Sequence, residues 1–304
     1  MGCWAIGGSL WHQGEEHGWG RVDDDESIRA IHAALDAGVR FFDTADQYGC
    51  GHSEEVLGRA LAGRQEEVVV ATKFGHVFNE QTREFTHRDG SPAHLRQATE
   101  ESLRRLRRDW IDLQQFHLAD WGIEESRATQ DELERLADEG KIRFYGWSTD
   151  DPARAASWLG GPRYTAVQQG YNLFGGNRET LAVCEQNNLA SILRGPLAMG
   201  LLTGKFGKDF QIPGGDVRRG WNTPEHRQGI EGMIDRVGEL REVLTQGGRT
   251  LAQAAIGWLW AFSPCMIPIP GFKSVAQVLD NAGALAHGPL TPEQMAEVDR
   301  ILGR

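Results

Sequence analysis

Several things are scarce in this sequence, and each shortage closes a class of function. Only four of the 304 residues are Cys (Cys3, Cys50, Cys184 and Cys265), with no C-x-x-C pair and no Cys/His zinc spacing. A disulfide framework and a structural metal site are therefore not indicated, and isolated thiols fit a reducing, cytoplasmic setting. No run of ~18 apolar residues occurs, so no membrane span is expected. The opening MGCWAIGGSL has neither the basic start nor the apolar stretch of a secretory signal. Positive charge is short as well: 32 Lys and Arg against 43 Asp and Glu leave a formal net charge of -11. Binding nucleic acid as a main role needs a basic footprint, so that role is set aside. An anionic cofactor held by a few local Lys, Arg or helix N-termini is still open.

What is present is ordinary globular composition, 40% hydrophobic and 25% charged. Short apolar runs rich in β-formers alternate with helical patterns. The runs are CWAI (3–6), VRFFDT (39–44), EVVVATK (67–73), WIDLQQFH (110–117), IRFYGWS (142–148), YTAVQQ (164–169), LASILRG (189–195) and CMIPIP (265–270). Between them lie patterns such as DDESIRAIHAALDAG, SPAHLRQATEESLRRL and LAQAAIGWLWAF. This alternation predicts βαβ units and a parallel sheet. About eight units fit one (β/α)8 barrel over residues 1–304. The competing open dinucleotide-binding sheet lacks a GxGxxG turn after its first strand. The Gly-rich segment 203–223 is longer than ordinary loops and is read as a cover over a ligand. The exposed helix faces are charged and carry no long heptad run, so a monomer is the default.

In a barrel, residues at the C-terminal ends of the strands converge on one face. Asp43, Lys73 and His117 each end an apolar run, where a polar group is costly unless it faces a site. Tyr48 sits in the loop after the Asp43 strand. Together they form an acid–base device. A charged Lys73 near the Tyr48 hydroxyl is expected to lower its pKa, Asp43 to hold Lys73, and His117 to orient a carbonyl oxygen. Each residue alone has plainer readings. Lys73 could form a Schiff base or a salt bridge, His117 could be structural, and Tyr48 could pack.

The segments FFDTADQYGCGHSEEVLGRAL, VVVATKFG, DLQQFHLAD, GKIRFYGWSTD, PLAMGLLTGKF and IPIPGFKSVAQVLDN, in this order, resemble the aldo-keto reductase family over nearly the whole chain. The resemblance implies an eight-stranded barrel, a nicotinamide cofactor, expected to be NADP (NADPH) over NAD because Lys273 falls where a 2′-phosphate would bind, a small carbonyl or alcohol substrate, and Tyr48 as general acid. It places Ser148 and Gln168 at the carboxamide and Gly2, Cys3 and Trp4 near the nicotinamide. Arg194, Pro196, Leu197, Gly200, Leu202, Gly204 and Lys205 fall along the pyrophosphate, and Gly271 opens the last cofactor segment. Lys273 and Ser274 fall at a 2′-phosphate, with Gln277 and Asn281 at the adenine. Trp4, Trp11 and Trp121 are expected to wall the substrate.

Three positions depart from the family pattern. The given sequence opens at MGCWAIGG, already inside the expected first strand, so either the gene start is mis-set or the hairpin plug is lacking, and that strand is expected to be short. Arg194 stands where many members stack a Tyr, and Thr149 replaces a common Asn. The alternative role implied is that of a cofactor-binding partner subunit, like the cytoplasmic β subunits of potassium channels. A Schiff-base lyase using Lys73 is a third reading, and it leaves the Lys273–Asn281 segment unexplained.

Overall fold

The computed structural model of the chain describes residues 1–64 and 67–304. Its strands are β1 (Leu10–His12), β2 (Glu15–His17), β3 (Phe41–Asp43), β4 (Val69–Phe74), β5 (His76–Asn79), β6 (Glu84–Arg88), β7 (Ile111–Phe116), β8 (Ile142–Ser148), β9 (Tyr164–Asn172), β10 (Gly175–Gly176), β11 (Ala190–Arg194) and β12 (Met266–Pro268). The α-helices are α1 (Asp24–Asp36), α2 (His52–Ala60), α3 (Pro92–Leu106), α4 (Ser126–Asp138), α5 (Pro152–Ser157), α6 (Arg178–Gln186), α7 (Pro224–Leu244), α8 (Leu251–Phe262), α9 (Val275–His287) and α10 (Pro292–Leu302).

Helix starts follow local chemistry. Asp23 accepts the Glu26 amide hydrogen ahead of α1, and Ser91 accepts that of His94 ahead of α3, where Pro92 stands at the first turn. Thr250 and Gln253 cap each other at the start of α8. Helix α8 is buried on nearly every side, as its run of Leu, Ala, Ile and Trp requires.

The main sheet is parallel in the order β3–β4–β7–β8–β9–β11–β12. Its two ends meet through Gly2, which bridges Asp43 on one side and Gly271 on the other. Asp43 donates its amide to the Met1 carbonyl at 2.9 Å, Cys3 donates to the Asp43 carbonyl at 2.8 Å, and Gly2 donates to the Pro270 carbonyl at 2.9 Å. Gly is needed at position 2, because a Cβ there would lie 2.8 Å from the Ile269 carbonyl oxygen. The result is a parallel α/β barrel whose first strand is reduced to a bridge. The stretch 3–6, expected as a strand, is instead a 3-10 turn over Trp4–Ile6. The physical reason is the next residue: a Cβ at Gly7 would meet the Tyr48 carbonyl at 2.8 Å, so the chain turns to pass beneath Tyr48.

Outside the barrel wall, Phe116, Trp147, Trp158 and Tyr145 form a fully buried aromatic cluster under the helices. Inside, Ala71, Leu113, Ala166, Ile192 and Ile269 fill the barrel below the strand ends. A second sheet, in the order β2–β1–β6–β5, was not anticipated; residues 76–88 form one of its hairpins. The 203–223 segment is tied to this region. Val217 donates its amide to the Gly18 carbonyl at 2.7 Å, and Arg219 donates to the Glu16 carbonyl at 2.9 Å. Among the described residues, no helix is long and apolar enough to cross a membrane.

Candidate active site at the strand C-terminal ends

Strand parity builds the site. Asp43 ends β3, Lys73 is the penultimate residue of β4, and Gln115 lies in register with Lys73 on β7. Gln168 lies in register with Ser148 across β8 and β9. All five are buried. The Lys73 ammonium uses its three N–H bonds: to Asp43 Oδ1 at 2.5 Å, to the Thr44 carbonyl at 2.7 Å and to the Tyr48 hydroxyl at 3.2 Å. Gln115 and Gln168 donate to the other Asp43 oxygen at 2.9 and 2.8 Å, and Gln168 also reaches Gln115 at 3.1 Å. Asp43 therefore has no side-chain oxygen without a donor, which offsets the cost of burying its charge.

This arrangement bears on protonation. Burial lowers the Lys73 pKa, but Asp43 and then Tyr48 outweigh it, so the net direction is up. A charged amine with all its hydrogens committed has no lone pair for a Schiff base, which counts against the lyase reading. The Tyr48 phenol departs from the sequence expectation. Burial raises its pKa, Lys73 pulls it back, and the net direction is upward, not downward. Desolvation of the phenolate exceeds the attraction of an ammonium that Asp43 largely neutralises.

His117 follows β7, its amide bonded to the Phe74 carbonyl at 2.9 Å. Its ring stands edge-on to Tyr48, with centroids 6.1 Å apart, and edge-on to His76 at 4.9 Å. Burial, then His76, Lys73 and Arg194, holds its pKa well below the ordinary histidine value, so the imidazole is neutral. Trp4 stacks on Tyr48 at 5.9 Å and meets Trp19 edge-on at 5.5 Å. The loop that carries Tyr48 is locked by contact with Gly7: a Cβ at Gly49 would sit 1.8 Å from the Gly7 carbonyl oxygen.

Other expected site residues fall around this centre. Gly2 and Cys3 pair with the Asp43 backbone. Arg194, at the end of β11, pairs with Asp150, whose other oxygen accepts the Gly170 amide at 2.6 Å. Thr149 is buried and donates to the Ala119 carbonyl at 2.8 Å. Pro196, Leu197 and Leu202 are buried. Gly200 and Gly204 have φ of 95° and 71°, conformations that favour glycine. Around Gly200 stand Lys205 and Arg218, whose nitrogens would lie 3.3 and 3.5 Å from a Cβ there. Asp216, a partner of Arg218, is the acid among them, and its field also reaches Lys273. The Lys273 ammonium donates to the Trp19 and Arg21 carbonyls, each at 2.8 Å. Asn281 donates to the Gly271 carbonyl at 3.2 Å, and Ser274 and Gln277 cap the start of α9.

Two expected wall residues are not gathered at Tyr48. Trp121 packs against Phe116 and Gly90 on the outer face of the barrel. Trp11 is 43% exposed on β1. Conversely, Gln115, His76, Trp19, Asp150 and Arg218 were not picked out from sequence. Gln115 had a usable signal, because it lies two residues before His117 and shares its inward parity.

The chain matches the aldo/keto reductase family model over residues 4–302. It is 31% identical to aldo-keto reductase YhdN of Bacillus subtilis over 310 aligned positions, covering 99% of this chain and 88% of that one. The glycerol dehydrogenase AKR11B4 from Gluconobacter oxydans superposes with a TM-score of 0.85 at 35% identity, covering 100% of this chain and 90% of that one. An aldo-keto reductase from Klebsiella pneumoniae, solved in complex with NADPH, superposes with a TM-score of 0.70 at 26% identity, covering 99% and 89%. With a match of this extent, and with the barrel in place, the chain belongs to the aldo/keto reductase family.

Proposed function

We propose that this protein interconverts a carbonyl and an alcohol with NADP(H), using Tyr48 as the proton donor in the reducing direction. The observation that carries the reading is the Lys73 ammonium, held by Asp43 and aimed at the Tyr48 hydroxyl at 3.2 Å. The half-buried phenol, its pKa shifted upward, stays protonated at neutral pH, and the ammonium beside it stabilises the phenolate as the proton leaves. The neutral His117 imidazole, edge-on to Tyr48, offers a hydrogen bond to the substrate oxygen. The nicotinamide, where bound, would supply or accept the hydride.

The cofactor fits the residues present. Lys205 and Arg218 stand at Gly200, and Lys273 lies within the field of Arg218 and of Asp216, the acid among them, which suits a pyrophosphate and its ribose phosphate. The bare backbone at Gly200 permits close approach. Ser148 and Gln168, side by side at the strand ends, suit the carboxamide. The resemblance to a reductase solved with NADPH supports this choice. Trp4 beside Tyr48 gives the reacting centre an aromatic wall.

The Gluconobacter relative is a glycerol dehydrogenase, which puts small polyols first in a substrate screen. The test is NADPH oxidation with a panel of aldehydes, ketones and sugars, and NADP reduction with glycerol and related polyols. Turnover in either direction supports the reading. Failure to bind either form of the dinucleotide would overturn it.

A further inference from the structure

The start of α9 contains a contact that the cofactor reading does not use. Glu26, in the first turn of α1, accepts the Val275 amide hydrogen at 2.9 Å. Val275 is the first residue of α9, next to Lys273 and Ser274. The neighbouring donors are also occupied by this chain. The Lys273 amide donates to Gln277 Oε1 at 2.7 Å, the Gln277 amide donates to Ser274 Oγ at 3.3 Å, and the Lys273 ammonium donates to the two carbonyls of the 19–21 segment. Of these acceptors, the amide and carbonyl oxygens and the Ser hydroxyl are neutral. Only Glu26 brings a charge.

We infer that Glu26 is a specificity-determining residue for the cofactor: its carboxylate takes the helix-start amide that would receive a 2′-phosphate, and so limits the preference for NADP(H) over NAD(H). The inference rests on the cofactor reading given above. Displacing a neutral acceptor costs an incoming phosphate little. Entering beside a fixed carboxylate adds like-charge repulsion. A 2′-hydroxyl has no such penalty, because it can donate to a carboxylate. Glu26 is held in place from its own helix: its amide is capped by Asp23 at 3.0 Å, and its carboxylate pairs with Arg29 at 2.8 Å. The Val275 bond, reinforced by Arg29, holds the carboxyl below its ordinary range, so it is ionised at neutral pH.

The test is a fluorescence titration of wild type, Glu26→Gln and Glu26→Ala with NADPH and with NADH at fixed ionic strength. Gln keeps an acceptor for Val275 and removes only the charge. Repulsion between a carboxylate and a phosphate in a water-like medium predicts that both variants tighten NADPH by roughly tenfold. NADH affinity should stay within about twofold in Glu26→Gln, since no phosphate meets the charge. A ratio of the two affinities that does not move would overturn the inference while leaving the cofactor reading intact. A wild type that binds neither dinucleotide would overturn both.

Discussion

Lys73 carries its ammonium to the Tyr48 hydroxyl, 3.2 Å away, from the strand beside the one that ends in Asp43. The relationship is built by the barrel and not by local sequence, since the two residues are 25 positions apart. It joins a buried ammonium, a half-buried phenol and a buried carboxylate in one hydrogen-bonded unit. That unit makes definite demands on stability as well as on activity.

Removing one half of the buried pair should be costly. Lys73→Met leaves Asp43 charged with only the Gln115 and Gln168 amides, and leaves the Thr44 carbonyl without its donor. The expected loss is about 3–5 kcal/mol of unfolding free energy. The double variant Asp43→Asn/Lys73→Met removes both charges and should recover most of that loss, but not the activity. Urea unfolding of both variants checks this. A single variant as stable as wild type would contradict the ion-pair account.

Two glycines separate conformational strain from contact. Gly14 and Gly49 both have positive φ, 80° and 62°. Nothing lies within 4 Å of a Cβ at Gly14, whereas one at Gly49 meets the Gly7 oxygen at 1.8 Å. Gly14→Ala should cost about 1–2 kcal/mol for the left-handed backbone alone. Gly49→Ala should cost more, and it should also lower turnover, because it displaces the Tyr48 loop. Equal thermal shifts with unchanged turnover would show that the Gly7 contact does not hold that loop.

The histidines behind Tyr48 set a pH dependence of stability. Burial, then Arg88 and His94, brings His76 down to about 4, and His117 lies well below its ordinary value. In the unfolded chain both titrate near ~6.5. Between the folded and unfolded values the unfolded chain binds more protons, so stability falls as pH drops below about 6.5 and is flat above it. Each group contributes a slope of up to about 1.4 kcal/mol per pH unit. Urea unfolding between about pH 7 and pH 5 reads this window before most carboxylates protonate. His76→Gln should reduce the slope. An unchanged slope would remove His76 from the account.

Much of this was legible in the chain itself. The run 142–148 and the run 251–262 became β8 and α8 end to end, because apolar residues and flanking signals agree there. Asp43, Lys73 and His117 stood out as polar groups closing apolar runs. Gln115 carries no charge, so the same pattern did not mark it. The β1–β2 and β5–β6 hairpins are largely polar and partly exposed, and give no clean alternation. Helix α7 was missed because Gly229, Gly232 and Gly238 interrupt its 21 residues. The contact between Glu26 and Val275 joins residues 249 positions apart, and no local pattern could reveal it. The direction of the Tyr48 shift was also out of reach, since it depends on how far burial outweighs the neighbouring ammonium.

The most direct measurement is single-turnover hydride transfer from saturating NADPH to an aldehyde accepted by the wild type, compared in wild type and Tyr48→Phe. Phe keeps the ring that contacts Trp4 and His117 and removes only the hydroxyl. The account predicts NADPH affinity close to wild type and a transfer rate lower by roughly 10²–10⁴, the loss expected for a general acid. Transfer at the wild-type rate in Tyr48→Phe, with NADPH bound, would contradict Tyr48 as the proton donor.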